Sequence, residues 1–237
     1  MKGHEMEPKS HVNIGTLLTD LSRAYIHKET KNTSFLHMSK YLRENGIKNN
    51  KFMLVLYDKT LKDVDVHSKH LTPGQKARIH AEIMRNPWFY LREVARISTP
   101  AGKSRVKIHP GNMALIWSII NSLNTIVELP RQQFKTVSIC GILTWFYDFV
   151  CENTAMYFGN KSIIDSKNNL KRFKDIRGNH PEWLKNKLFA KGDIDNQESI
   201  LSVTLNNKID IHGNPTNADK ADLMGRGMSI PILWEDE

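Results

Sequence analysis

The stretch Thr125-Ile-Val-Glu-Leu-Pro-Arg-Gln-Gln-Phe-Lys-Thr136 decides how this chain is read. Thr125 to Leu129 is a short apolar run of β type, Pro130 to Phe134 a tight polar loop, and Lys135-Thr136 open the long apolar run Val137 to Val150. Strand, loop and helix in that order present helix N-terminal amides and a lysine to an anion. The counterpart is Ile230-Pro-Ile-Leu-Trp-Glu-Asp-Glu237, a second apolar run ending in adjacent carboxylates. A lysine and a hydroxyl at one strand end, with Asp-Glu at another, are the parts needed to hold Mg²⁺-ATP and hydrolyse it. Lys135 can reach the β- and γ-phosphates, Thr136 and Asp236 can hold Mg²⁺, and Glu237 can polarise a water. Singly these signals are bland, because Lys-Thr also caps ordinary helices and chains often end in acids. Their order, with about 100 residues of mixed pattern between them, carries the reading.

Upstream, apolar spacing predicts helices over Ile14 to Ile26 and Ser34 to Glu44, and Phe52 to Tyr57 reads as a strand. Thr72, Pro73 and Gln75 form a helix start by cap, first-turn proline and capping-box partner, with the helix running to Arg85 and broken by Asn86-Pro87. Trp88 to Ile97 and Met113 to Leu123 are further helices, and Ser98 to Arg105 reads as a loop. That loop contains Gly102-Lys103-Ser104, a fragment of a phosphate-loop pattern. An amphipathic helix precedes it, Pro110 interrupts the segment after it, and Ile97 stands where the pattern's first Gly belongs. Lys103 is therefore read as an exposed lysine, remote from Asp236 and outside the nucleotide's phosphate loop.

Downstream, Ala155 to Phe158 reads as a strand, and Ser162 to Ile176 and Glu182 to Phe189 as helices. Ser199 to Leu205 and Lys208 to Ile211 form a hairpin around Asn206-Asn207, and Ile230 to Trp234 is the last strand. Alternating strands and helices predict an α/β fold that is P-loop NTPase-like. Its largely parallel central sheet is flanked by helices and incomplete at the C-terminus, with a helical N-terminal segment over 1–70 and the ATPase-like part over 71–237.

The chain has 237 residues, 40% hydrophobic, and a formal net charge of +9 from 34 Lys and Arg against 25 Asp and Glu. That excess favours a polyanionic partner, although it is spread along the chain. Cys140 and Cys151 share one apolar run without metal-ligand spacing, as expected of buried thiols in a reducing compartment. No signal core or 18-residue apolar span occurs, so the expectation is a cytosolic protein with no membrane contact.

Three stretches resemble the ATPase half of large terminase subunits, the motors that package DNA in tailed bacteriophages. Pro130-Arg-Gln-Gln-Phe-Lys-Thr136 is similar to that family's variant phosphate loop, with Phe134 in place of a Gly. Gly225-Arg-Gly-Met-Ser-Ile-Pro-Ile-Leu-Trp-Glu-Asp-Glu237 resembles its segment leading to Asp-Glu. Asn86-Pro-Trp-Phe-Tyr-Leu-Arg-Glu-Val-Ala-Arg96, with His109-Pro-Gly-Asn-Met-Ala-Leu-Ile-Trp117, is similar to its adenine-recognising region.

The resemblance spans roughly 75–237. It implies that Pro130, Arg131, Gln132, Gln133, Phe134, Lys135 and Thr136 wrap the phosphates, and that Arg131 stabilises charge on the γ-phosphate. It also implies that Asn112, where the family has Gln, reads adenine, that Thr136 and Asp236 hold Mg²⁺, and that Glu237 is the general base. Arg226-Gly227 would precede the Asp-Glu strand, and Glu235 would be structural. The implied function is ATP hydrolysis driving packaging of double-stranded DNA into a procapsid, in host cytoplasm and transiently at the procapsid portal. The implied partners are DNA, the portal protein, the small terminase subunit and a separately encoded C-terminal nuclease part. The family continues beyond Asp-Glu with a nuclease domain, so the expectation is an N-terminal piece without DNA cutting. A helicase-like translocating ATPase, or an inactive fragment that binds DNA or a partner, are the competing readings.

Overall fold

The structure is a computed structural model and describes residues 24–121, 123, 126, 128, 134–213 and 232–236. β1 (Tyr25–Ile26) pairs antiparallel with β2 (Val55–Leu56). Between them lies α1 (Thr33–Glu44), which buries Phe35, Met38 and Leu42 from one face, as the helical period requires. The run read as a strand over Phe52 to Tyr57 begins instead as a 3-10 turn, Phe52–Leu54, and only Val55–Leu56 is extended. Of the expected helix Ile14 to Ile26, Tyr25 and Ile26 belong to β1 and residues 14–23 lie outside the described residues.

α2 (Pro73–Arg85) starts as its sequence dictates. Gln75 N donates to Thr72 Oγ1 at 3.2 Å, and Thr72 N donates to Gln75 Oε1 at 2.9 Å. Asn86 ends it and caps the next helix, its Oδ1 accepting from Phe89 N at 2.9 Å. That helix, α3 (Pro87–Phe89, continuing as a π-helical turn Tyr90–Val94), buries Trp88, Phe89, Tyr90, Leu91 and Val94 almost completely. Where a loop was expected over Ser98 to Arg105, β3 (Arg96–Thr99) and β4 (Gly102–Arg105) form an antiparallel hairpin. Gly102 turns it with φ +107°, a conformation that excludes most side chains.

α4 (Pro110–Ile120) is followed by α5 (Lys135–Trp145, continuing as a π-helical turn Phe146–Val150), β5 (Ala155–Asn160), α6 (Ile163–Gly178) and α7 (Glu182–Leu188). The chain then forms β6 (Ile194–Asp195), β7 (Ser199–Ser202), β8 (Asn207–Gly213) and β9 (Ile232–Asp236). The five-stranded sheet has the order β6-β7-β8-β5-β9. β5 pairs in parallel with β8 and β9, whereas β6–β7 and β7–β8 are antiparallel. The expected largely parallel sheet is thus a mixed one. The reason is local: the turn before Asn207, with Asn206 at φ 52°, returns β7 directly into β8, and a direct return allows only antiparallel pairing.

A strand was also expected over Thr125 to Leu129. Ile126 and Glu128 lie in no strand, and Ile126 is 97% exposed; Thr125, Val127 and Leu129 lie outside the described residues. One apolar cluster runs from Phe35 in α1 through Trp145 in α5 to Trp234 in β9, so residues on both sides of position 70 share a core.

Candidate functional site

α5 and α6 lie side by side and run in the same direction. Cys140 meets the Asn169 carbonyl, Tyr147 packs edge-on against Phe173, and Arg177 binds Asp148, so contacts advance together along both helices. α6 follows β5 after only Lys161 and Ser162, and therefore starts at the C-terminal end of that strand. The start of α5 accordingly lies toward the same end of the sheet. The strands reach that end with Asn160 of β5, Gly213 of β8 and Asp236 of β9; Asn160 is in register with both of the others. Gly213 sits so tightly on the start of α6 that a Cβ there would lie 2.6 Å from Ile163 N.

The buried polar groups at this end belong to the scaffold. Asn160 donates to Ser166 Oγ at 3.2 Å and accepts from Asn169 Nδ2 at 3.3 Å, and Arg172 donates to Asn169 Oδ1 at 3.1 Å. At the opposite end, the wholly buried Asn207 donates to the carbonyls of Tyr147 and Cys151 and accepts from Thr154 N. That ties the end of α5 to the starts of β5 and β8.

The residue before α5 has an unusual backbone. Phe134 adopts φ 56°, ψ 21°, the left-handed conformation, and its carbonyl accepts from Ser138 N at 3.0 Å as the first helical bond. Holding a non-glycine residue there costs about 1–2 kcal/mol. Its ring stacks on that of His109, with centroids 5.7 Å apart and planes at 18°, and remains 45% exposed. Lys135 and Thr136 come next, in the first helical turn, both half-buried.

α4 holds this junction from the side. Asn112 Oδ1 accepts from His109 N at 2.6 Å, and Asn112 Nδ2 donates to Ser138 Oγ in α5 at 2.8 Å. Asn112 is 1% exposed. Its amide is thus engaged in tying the start of α4 to the first turn of α5, where the resemblance assigned it to adenine. The position of His109 just before Pro110 marks a helix cap, but no local sequence pattern points to its stack on Phe134.

Most of the other expected site residues lie outside the described part. Pro130, Arg131, Gln132, Gln133 and Glu237 lie outside the described residues, as do Arg226 and Gly227. Asp236 is described through its backbone as the last residue of β9. Glu235 is exposed beside it. Lys103 is exposed on β4 within the hairpin, without the strand-to-helix context of a phosphate loop. Among the described residues no group of three or more His, Cys, Asp and Glu could hold a metal ion, and no helix is long and apolar enough to cross a membrane.

Phe134 can be tested directly. Its left-handed backbone makes Gly the better replacement and Ala the worse. Phe134→Gly is expected to unfold at higher denaturant than Phe134→Ala, by about 1 kcal/mol. Because the ring is only half-buried, loss of the stack on His109 should cost little in either variant. Equal stability of the two in urea melts would mean that residue 134 is not left-handed in solution.

Neither the protein-family models nor the curated proteins contain a match to this chain.

Proposed function

We propose that this chain is the ATPase motor part of a viral terminase large subunit, which hydrolyses ATP to drive double-stranded DNA into a procapsid. The observation that carries the reading is the backbone of Phe134. A residue in the left-handed conformation directly before Lys135-Thr136 at the start of a buried helix is the backbone that a phosphate loop needs, and glycine usually supplies it. The direction of α5 and the register of β9 support the same reading, since both bring their functional ends to one end of the sheet.

In this reading Lys135 binds the β- and γ-phosphates and the backbone from Gln132 to Thr136 cradles them. Arg131 offsets charge on the γ-phosphate, and Glu237 takes a proton from the attacking water. The Thr136 hydroxyl and the Asp236 carboxylate suit a hard cation, so these two would hold Mg²⁺, which supplies charge neutralisation on the phosphates when bound. Asn112 contributes by fixing the junction of α4 and α5, on which the phosphate loop ends. The partners would be DNA, the portal protein, the small terminase subunit and a C-terminal nuclease part, in the host cytoplasm.

Phosphate release measured with and without duplex DNA tests the function. Turnover stimulated by DNA is expected from the wild type. In Glu237→Gln, turnover should fall by about 100-fold or more while ATP still binds, because only the general base is lost. A wild-type chain that neither binds nor hydrolyses ATP would refute the motor and leave a DNA- or partner-binding role.

A further inference from the structure

The β3–β4 hairpin sets two arginines face to face. Arg96 and Arg105 are cross-strand partners, so their side chains leave the same face of the ribbon. Like charges in that arrangement destabilise a sheet, yet Arg96 is only 8% exposed.

The nearby negative charge is already engaged. Glu93 accepts from Arg105 Nη1 at 2.9 Å and from Arg92 Nε at 3.0 Å, and it also takes the Thr30 hydroxyl. Arg92, fully buried, spends its other N–H groups on the carbonyls of Met53 and Val55. Three guanidinium groups therefore gather around one partly buried carboxylate, and Arg96 receives least. Among the described residues its hydrogen bond goes to the Ala95 carbonyl at 2.9 Å, and no carboxylate lies within ion-pair distance of it. Glu93 and Asp65 act on it only through space, against burial and the charge of Arg105, which together press it down to about 10.

Arg96 is buried but not wholly sealed. The sealed, unpartnered side-chain atoms among the described residues are His27 Nδ1, Trp88 Nε1, Arg177 Nη2 and His180 Nδ1, and none belongs to Arg96. The remaining N–H groups of its guanidinium have no protein partner among the described residues, and the residue keeps 8% of its surface exposed. Lys103, two residues before Arg105 and so on the same ribbon face, is exposed, and Lys107 beyond the strand is exposed as well. The ribbon is fixed to α6: Ser98 N donates to Asp175 Oδ2 at 2.8 Å, and Asn179 Nδ2 donates to Ser98 Oγ at 3.0 Å.

We propose that this face of the β3–β4 ribbon is a phosphate site for the nucleic-acid backbone, with Arg96 holding the oxyanion and Arg105 and Lys103 flanking it. A phosphate placed there supplies the negative charge that Arg96 lacks. A row of cations longer than one phosphate, on a chain of net charge +9, favours a phosphodiester backbone over a single free anion. The inference deepens the motor reading by naming a DNA contact, and rests on it only for the choice of duplex DNA.

The test is fluorescence anisotropy of a fluorescein-labelled DNA duplex with the full chain, over a range of salt. Arg96→Gln should weaken binding about tenfold and lower the slope of log K against log salt by about one. Lys103→Gln should act in the same direction, less strongly. In buffer without phosphate, sulfate or DNA, Arg96→Gln should melt at or above the wild-type temperature, because it removes the repulsion from Arg105. Unchanged affinity and slope in Arg96→Gln would overturn the proposal. So would an Arg96-dependent rise in melting temperature with inorganic phosphate alone, if DNA affinity did not change. Lys135→Ala should lose ATP binding and keep its DNA affinity, so failure of the ATPase reading and failure of this one are separable.

Discussion

Lys135→Ala is expected to abolish ATP binding by the full chain while the chain still folds, as a cooperative melting transition would show. The lysine is half-buried at the first position of α5, and the helix is held by its later residues: Ser138, Cys140, Ile142, Thr144 and Trp145 are all buried. Trp145 also donates from its indole to the Ile83 carbonyl at 2.7 Å. Removing the ammonium leaves this packing intact. It removes the charge placed next to the left-handed Phe134, where a triphosphate would need it, and loss of one such group costs about 3–4 kcal/mol or more. Titration calorimetry with ATP and Mg²⁺ reads the effect. Equal affinity in the variant and the wild type would show that the start of α5 is not the phosphate site.

Asp148→Ala is expected to be the most destabilising single change, at about 3–5 kcal/mol. Asp148 sits in the π-helical turn at the end of α5 and accepts from Arg177 Nε at 2.9 Å and 3.0 Å. Both residues are buried, and the Arg177 guanidinium also lies over the rings of Tyr147 and Phe189. Burial alone would lower Arg177, but the Asp148 carboxylate holds it above its usual range. Without that carboxylate a guanidinium is left uncompensated in the core. Denaturant unfolding measures the loss, and a change below about 1 kcal/mol would mean that the pair is open to water.

The same cluster gives acid sensitivity. His180, whose Nε2 lies 2.9 Å from Tyr90 Oη, is held neutral by burial and then by Arg177, down to about 3, against an ordinary value of 6.5. The unfolded chain therefore takes up a proton below about pH 6.5 that the folded chain refuses until about pH 3. Stability should fall progressively across that window, and less steeply in His180→Gln.

Elements governed by neighbouring residues were legible in the sequence, and elements created by distant partners were not. The start of α2 could be read because Thr72, Pro73 and Gln75 satisfy one another within four positions. The β3–β4 hairpin looked like a loop because Ser98, Pro100 and Lys103 lack apolar alternation; its strands exist through mutual pairing and through Asp175 on α6. Thr125 to Leu129 has β-type composition, yet Ile126 is exposed, because composition alone supplies no pairing partner. For the candidate site, the helix start at Lys135 and the Asp236 strand were both legible as motifs. The stack of His109 on Phe134 and the bond from Asn112 to Ser138 were not, since they join residues from different helices.

The position of β5 between two parallel neighbours has a kinetic consequence. α5, β5 and α6 are joined by very short connections, and β7 meets β8 through a tight turn, so these contacts close small loops. β9 is different: Met156 pairs with Ile232 and Asn160 with Asp236, across the longest separation in the sheet. The entropy of closing that loop must be met before its hydrogen bonds form, which places β9 late in folding. Trp234, packed edge-on against Phe158, reports on that step. Trp234→Ala should speed unfolding and leave the refolding rate nearly unchanged, a φ-value near zero in stopped-flow measurements. The strand that carries Asp236 would then be the last to join, and under the proposed motor reading a nucleotide site that includes Asp236 would be completed only in chains that have finished folding.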